Sequence, residues 1–147
     1  MSAGAKLMVS AFGATEEPTT KGMSSIARAR ALAKFVKKYG FDGVDVDYEG
    51  LLLLALSLIH HSPMCSLHVD LTAFNGGSGK AENWLISFTR ELRKQLGPKK
   101  IISHAPLAPW FQRNGRWRGG GYMKVHKAVG KYINFYNIQY YNQGVGV

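Results

Sequence analysis

Cysteine is almost missing: Cys65 stands alone in 147 residues. A lone thiol cannot close an intramolecular disulfide, and it leaves the redox compartment open. Acidic side chains are few, 9 against 19 Lys and Arg, for a formal charge of +10. That imbalance favours an anionic partner, nucleic acid or membrane, unless the basic residues are simply helix surface. Long apolar runs are lacking too. Leu51 to Ile59 is apolar but falls far short of the ~20 residues that cross a bilayer. Met1 to Lys6 carries no secretory apolar core.

What is present suits a globular chain: 46% of residues are apolar, and the length fits one domain with its own core. The basic residues fall mostly where helices show a wet face: Arg28, Arg30, Lys34, Lys37 and Lys38, then Arg90, Arg93, Lys94, Lys99 and Lys100. They read as solvated surface. Arg113, Arg116 and Arg118 surround Trp117 ahead of Gly119, Gly120 and Gly121, a composition that can bind single-stranded nucleic acid. One short copy fits a loop at the mouth of a sugar site equally well, so neither a nucleic-acid nor a membrane partner is expected. His60, His61, Cys65 and His68 lie close together, but their spacing matches no paired zinc framework. No metal or other cofactor is expected.

Strand-like runs occur at Ala5 to Phe12, Phe41 to Glu49, Lys100 to Ala105 and Ile133 to Tyr141. Helical patterns lie between them. Ser24 to Tyr39 sets Ile26, Ala29, Leu32, Ala33, Val36 and Tyr39 on one stripe, with Gly40 as the stop. Ala81 to Leu96 does the same with Trp84, Leu85, Phe88, Leu92 and Leu96, before Gly97 and Pro98. Tyr122 to Lys131 is a shorter third helix. Alternating strands and helices predict βαβ units and a parallel sheet.

The second strand carries the chemistry. Val44, Val46 and Tyr48 alternate with Asp45, Asp47 and Glu49, so one face is apolar and the other carboxylate. Like charges at that spacing cannot all ionise cheaply, and at least one proton is held above its ordinary range. A general acid working near neutral pH needs that property. Two plainer readings remain open: a hard-cation site, and a polar strand whose acids face water.

Asp42-Gly43-Val44-Asp45-Val46-Asp47-Tyr48-Glu49 is similar to the Asp-x-x-Asp-x-Asp-x-Glu signature of glycoside hydrolase family 18, which holds many chitinases and some endo-β-N-acetylglucosaminidases. The resemblance extends along the chain. Ser10-Ala11-Phe12-Gly13 resembles that family's third-strand Ser-x-Gly-Gly motif, one glycine short. His104-Ala105-Pro106 resembles the fifth strand of the plant-type and fungal branch, and Gln139-Tyr140-Tyr141-Asn142 the end of the sixth. The resemblance implies a partial (β/α)8 barrel of about four βα units, within one incomplete catalytic domain. A whole barrel has eight strands and about 250 residues. Uncovered sheet edges would favour self-association.

By the same resemblance, Glu49 is the acid that protonates the glycosidic oxygen and then the base that activates water. The substrate's 2-acetamido oxygen acts as the nucleophile, an exception among retaining glycosidases. Asp47 orients the acetamide, Asp45 shares a proton with Asp47, and Tyr141 hydrogen-bonds the acetamide beside Gln139. Asn142, Ser10, Ala105 and Pro106 belong to the same motifs and are expected at the substrate. Phe12, Trp110 and Trp117 are candidates to stack on sugar faces, with packing as the alternative. The implied substrate is β-1,4-linked N-acetylglucosamine, in chitin, chitooligosaccharides or N-glycans, and the implied place of action is extracellular. A truncated, non-catalytic sugar-binding fragment is the other reading.

Gly50 to Val69 interrupts the resemblance. It is an apolar stretch placed directly after Glu49, and deleting it joins Glu49 to Asp70-Leu71-Thr72, a polar segment like the one the family has there. Such a stretch conflicts with its surroundings at every local level, which motivates the hypothesis of a retained intron read in frame. A hydrophobic hairpin or short helix covering the sheet is the alternative. Sequencing the mature transcript is expected to show the segment removed; a message that retains it ends the intron hypothesis.

Overall fold

The computed structural model describes residues 4–13, 16, 18–19, 21–48, 78–112 and 117–140. Glu49, Tyr141, Asn142 and the whole 50–69 stretch lie outside the described residues. Within them the chain runs through β1 (Met8–Phe12), α1 (Ser25–Tyr39), β2 (Gly43–Asp47), α2 (Lys80–Leu96), β3 (Ile101–His104), α3 (Gly121–Val129) and β4 (Phe135–Tyr136). Short 3₁₀ turns occupy Ala108–Phe111 and Gly130–Tyr132.

The helix ends follow from their capping residues. Ser24 Oγ accepts the Ala27 N–H at 3.3 Å, satisfying one of the donors left free in a first turn. Gly40, at φ 73°, takes the left-handed conformation that closes α1 and returns its N–H to the Val36 carbonyl. Gly97 donates to the Arg93 carbonyl at 2.9 Å, and Pro98 prevents α2 from continuing. At the start of α3 the buried Glu82 carboxylate does the capping: its Oε1 accepts the Gly121 N–H at 3.0 Å.

The sheet is parallel throughout, in the order β1-β2-β3-β4. Val9, Val44 and Ile102 lie in one row across it, and Ala11, Val46 and His104 in the next. Val44 and Val46 are fully buried and share a cluster with Ala29, Ala33 and Val36 of α1 and with Leu85, Phe88 and Leu92 of α2. Burying a valine contributes about 1.5–3 kcal/mol, so this face holds the helices on. The opposite face presents Ser10, Asp45 and Ser103 in register. Four parallel strands joined by helices make an α/β fold that corresponds to part of a (β/α)8 barrel. Among the described residues β1 and β4 are edge strands, and Leu7, Phe35, Tyr39, Phe135, Ile138 and Tyr140 are exposed.

Two motif residues prove structural. A Cβ on Gly43 would collide with the carbonyl oxygen of Ile101 and lie 2.7 Å from its Cβ, so only glycine lets β2 and β3 approach there. Asp42 accepts the Leu7 N–H at 2.9 Å and Lys6 Nζ at 3.4 Å, while its own N–H donates to Leu7 O at 2.7 Å. The Leu7 N–H first, and then Lys6, hold its carboxyl below the usual range. Asp42 therefore ties the entrance of β1 to that of β2.

Arg93 departs from the solvated-surface reading, whereas Arg30 stays exposed. Arg30 Nε reaches Glu91 Oε1 at 2.6 Å and joins α1 to α2. Arg93 spreads its guanidinium over four acceptors: the carbonyls of Tyr132, Gly97 and Lys100, and Asn134 Oδ1, at 2.6–3.1 Å. Asn134 Oδ1 also accepts the Ile102 N–H at 2.9 Å, so the cluster fixes the end of α2 against the start of β3 and the approach to β4. Helical periodicity marks Arg93 as polar, and carries no sign of carbonyls converging from later in the chain. Arg93→Ala is expected to lower unfolding free energy by about 2–4 kcal/mol in urea titration. Arg93→Lys should recover under half of that, because an ammonium cannot fork between the same acceptors. An alanine variant within about 0.5 kcal/mol of wild type would contradict the clamp.

Candidate active site

Asp45 and Asp47 stand two apart on β2, so both project from the face opposite Val44 and Val46. Each meets a donor from a different part of the chain. Ser103 Oγ, on β3, donates to Asp45 Oδ1. Gln139 Nε2 donates to Asp47 Oδ1 at 2.8 Å, across ninety-two residues of sequence.

Gln139 is itself tightly held. Its second amide hydrogen goes to the Ala105 carbonyl at 2.8 Å, and its backbone N–H to Pro106 O at 2.9 Å. Its own carbonyl accepts the Ala108 N–H at 3.0 Å, alongside the parallel bridge from Leu107 to Gln139. Ala105 and Pro106 are buried, and what they offer is two carbonyl oxygens that aim Gln139 at Asp47. The strand expected over 133–141 is thus a two-residue strand followed by a chain that keeps bonding to the residues after β3. Ser10, on β1, faces Asp45 in register from the other side and is exposed.

The aromatic candidates sit elsewhere. Strand alternation would put Phe12 on the face of Ser10, but its φ of 85° breaks the alternation. Its ring packs edge-on against Phe88 at 5.2 Å, Trp84 at 5.4 Å and Tyr48 at 6.4 Å. Phe12 occupies the position where the Ser-x-Gly-Gly form has its first glycine, and the left-handed backbone there is what a glycine accommodates without strain. Trp110 is 4% exposed and stacks on Tyr122 with ring centroids 5.9 Å apart. Trp117 is 7% exposed and donates its indole N–H to Pro109 O at 2.6 Å. All three rings make packing contacts within the fold, with Trp110 and Trp117 buried and Phe12 partly buried.

His104 follows Ser103 and points the other way, into the helix layer. Thr89 Oγ1 donates to Leu85 O at 2.7 Å, so its lone pairs accept from His104 Nε2 at 3.2 Å. Nδ1, left as an acceptor, takes the Tyr122 hydroxyl at 3.0 Å. The ring is neutral: complete burial pushes its pKa down to about 3. Burial, and after it Tyr136, Tyr48, Asp45 and Asp47, raises Tyr122 well above the usual phenol value. His104 is a packed polar core residue, and no proton relay to the acids runs through it.

Ser103 is the site residue that the sequence reading passes over. The signal available was a small hydroxyl two residues before a motif alanine, at the alternation position opposite in face to Ile102 and His104. Among the described residues, no group of three or more His, Cys, Asp and Glu is arranged to hold a metal ion.

In the unfolded chain His104 titrates near pH 6.5 and in the folded one near 3. The unfolded state therefore takes up a proton that the folded state refuses. Stability from the neutral ring is complete above pH 6.5 and is lost as pH falls toward 3. The lowered carboxyls of Asp42 and Glu91 act only below their ordinary values of 3.8 and 4.5. Between pH 6.5 and 5 the loss of unfolding free energy is expected to be visibly flatter in His104→Gln than in wild type. Parallel slopes would contradict the buried neutral imidazole.

Comparison with known proteins gives related answers. The chain is similar to Exochitinase 1 of Streptomyces olivaceoviridis, 26% identical over 156 residues, covering 97% of this chain and 24% of that protein. It is similar to Chitinase D of Niallia circulans, 26% identical over 119 residues, covering 78% of this chain and 20% of that protein. Among solved structures, a GH18 chitinase from Pseudoalteromonas aurantia superposes with a TM-score of 0.73 at 35% identity, over 97% of this chain and 45% of that one. A family GH18 chitinase from Chromobacterium violaceum, at TM-score 0.58 and 22% identity over 96% of this chain and 33% of that one, shares the fold. No family model matches the chain. The chain spans a quarter or less of the two relatives and under half of the solved structures. These likenesses support the family 18 resemblance. The named relatives are bacterial, whereas the later motifs resemble the plant-type and fungal branch.

Proposed function

We propose that this chain carries the acid cluster of a glycoside hydrolase that cleaves β-1,4-linked N-acetylglucosamine in chitin, with the substrate's acetamide as nucleophile. The observation that carries the proposal is the hydrogen bond from Gln139 to Asp47, which unites the acidic motif with the last motif of the resemblance. Chitinase relatives support chitin as the substrate class. An insoluble polymer of that kind places the reaction outside the cell.

Glu49 continues the alternation of Asp45 and Asp47 in sequence, and in this reading it protonates the glycosidic oxygen. The neighbouring acids disfavour its ionised form, so it starts with a proton to give. As the bond to the leaving sugar breaks, the acetamido oxygen attacks the anomeric carbon and a cyclic oxazolinium forms. Asp47, held by Gln139, aligns the acetamide N–H and offsets the developing positive charge. Asp45 takes the proton that the pair shares, which lets Asp47 become the anion. Tyr141 completes the acetamide's hydrogen bonding, with Asn142 beside it. Glu49 then accepts a proton from water, which opens the ring at the same face with net retention.

Release of N-acetylglucosamine oligomers from a soluble chitooligosaccharide tests this. The 147-residue chain is expected to turn it over, and Glu49→Gln to lose about 10²–10⁴-fold in kcat. Absence of turnover, or turnover unchanged by the substitution, would contradict the proposal for this chain.

A further inference from the structure

We propose that Ser103 is a positioning residue for Asp45, supplying the donor that orients its carboxylate for the proton it shares with Asp47. The inference rests on the hydrolase reading and adds a residue from none of its motifs.

The geometry is built from adjacent strands. Asp45 on β2 pairs with Ser10 on β1 and with Ser103 on β3, a hydroxyl–carboxylate–hydroxyl row across the sheet. The two serines differ in their surroundings. Ser10 is exposed, while Ser103 is 1% exposed. Ile102 and His104 flank Ser103 and face the helix layer, so Ser103 alone of its strand meets the acids. Its hydroxyl donates to Asp45 Oδ1.

A buried hydroxyl aimed at a carboxylate stabilises the anion. Asp47 has its own donor in Gln139 Nε2. Each acid is thus matched to one donor from a different part of the chain. The Ser103 hydroxyl holds the Asp45 carboxylate in the orientation from which it exchanges the shared proton with Asp47. Without it, Asp45 loses that orientation and the donor to its anion, and the pair holds the proton to higher pH. Among the described residues, Asp47 projects from the same face of β2 as Asp45, Tyr122 of α3 couples to both only through space from the helix layer, and no ionisable side chain stands in register with Asp45 on β1 or β3. Ser103 stands beside Asp45 in the sheet and is buried, so its loss acts on turnover rather than on binding.

The test compares wild type, Ser103→Ala and Ser103→Thr as the full 147-residue chain. Chitooligosaccharide hydrolysis in Ser103→Ala is expected to fall about 10-fold in kcat with KM within about 2-fold. Its acidic pH limb should move up by about one unit, and Ser103→Thr, which keeps a hydroxyl, should restore it. A second reading is independent of turnover: the side-chain 13C titration of Asp45, assigned by its loss in Asp45→Asn, should also move to higher pH in the alanine variant. If wild type releases no sugar, the hydrolase reading fails and the carboxyl titration alone decides the role of Ser103. A lower melting temperature with both titrations unmoved would reduce Ser103 to packing and overturn the proposal, as would a threonine variant that behaves like alanine.

Discussion

Burial of Val44 and Val46 beneath α1 and α2 sets everything that follows on β2. Side chains alternate across a strand, so the two valines fix Asp45 and Asp47 on the other side. A slip of one residue would drive both carboxylates into an apolar layer and set both valines among polar groups. The cost of burying unpaired charge far exceeds any gain from a different strand pairing. Gly43 reinforces the same register, because any side chain there would strike Ile101 of β3. The apolar face thus acts as the jig that holds the acids; Ser103 arrives on β3, whose register is fixed in the same way, and Gln139 on the chain beyond β4, fixed by its bonds to Ala105, Pro106 and Ala108.

The helices were legible to within a residue or two at most ends, since their signals are local: Ser24 and Gly40 bracket α1, and Gly97-Pro98 ends α2. The parallel order followed from alternation of elements. Strand lengths were less legible. The run from 133 to 141 looks like one strand because its residues favour extension, yet among the described residues only Phe135 and Tyr136 form it. Beyond them, Gln139 spends its bonds on Ala105, Pro106, Ala108 and Asp47, partners that local sequence does not announce.

Side-chain roles that depend on distant partners were the least legible. Arg93 looked like wet helix surface until the carbonyls of Tyr132 and Lys100 were brought to it. Trp110 and Trp117 have the composition of a sugar platform, and local sequence does not announce that one stacks on Tyr122 and the other donates to Pro109. Phe12 fails the alternation rule only because its φ is positive, a property no periodicity reveals. The acidic run behaved differently. Its spacing alone placed Asp45 and Asp47 on one face, because that statement needs the strand and nothing else.

The account's central claim is that Asp47, aimed by Gln139, is built to face the acetamide of a cyclic intermediate. The most direct measurement is calorimetric binding of a thiazoline analogue of that bicyclic intermediate, made from N-acetylglucosamine, to the 147-residue chain and to its Asp47→Asn and Gln139→Ala variants. The account predicts measurable binding to wild type, weakened at least about 10-fold in each variant, which corresponds to loss of a charge-assisted hydrogen bond. Equal affinity across the three proteins, or none for wild type, would contradict it.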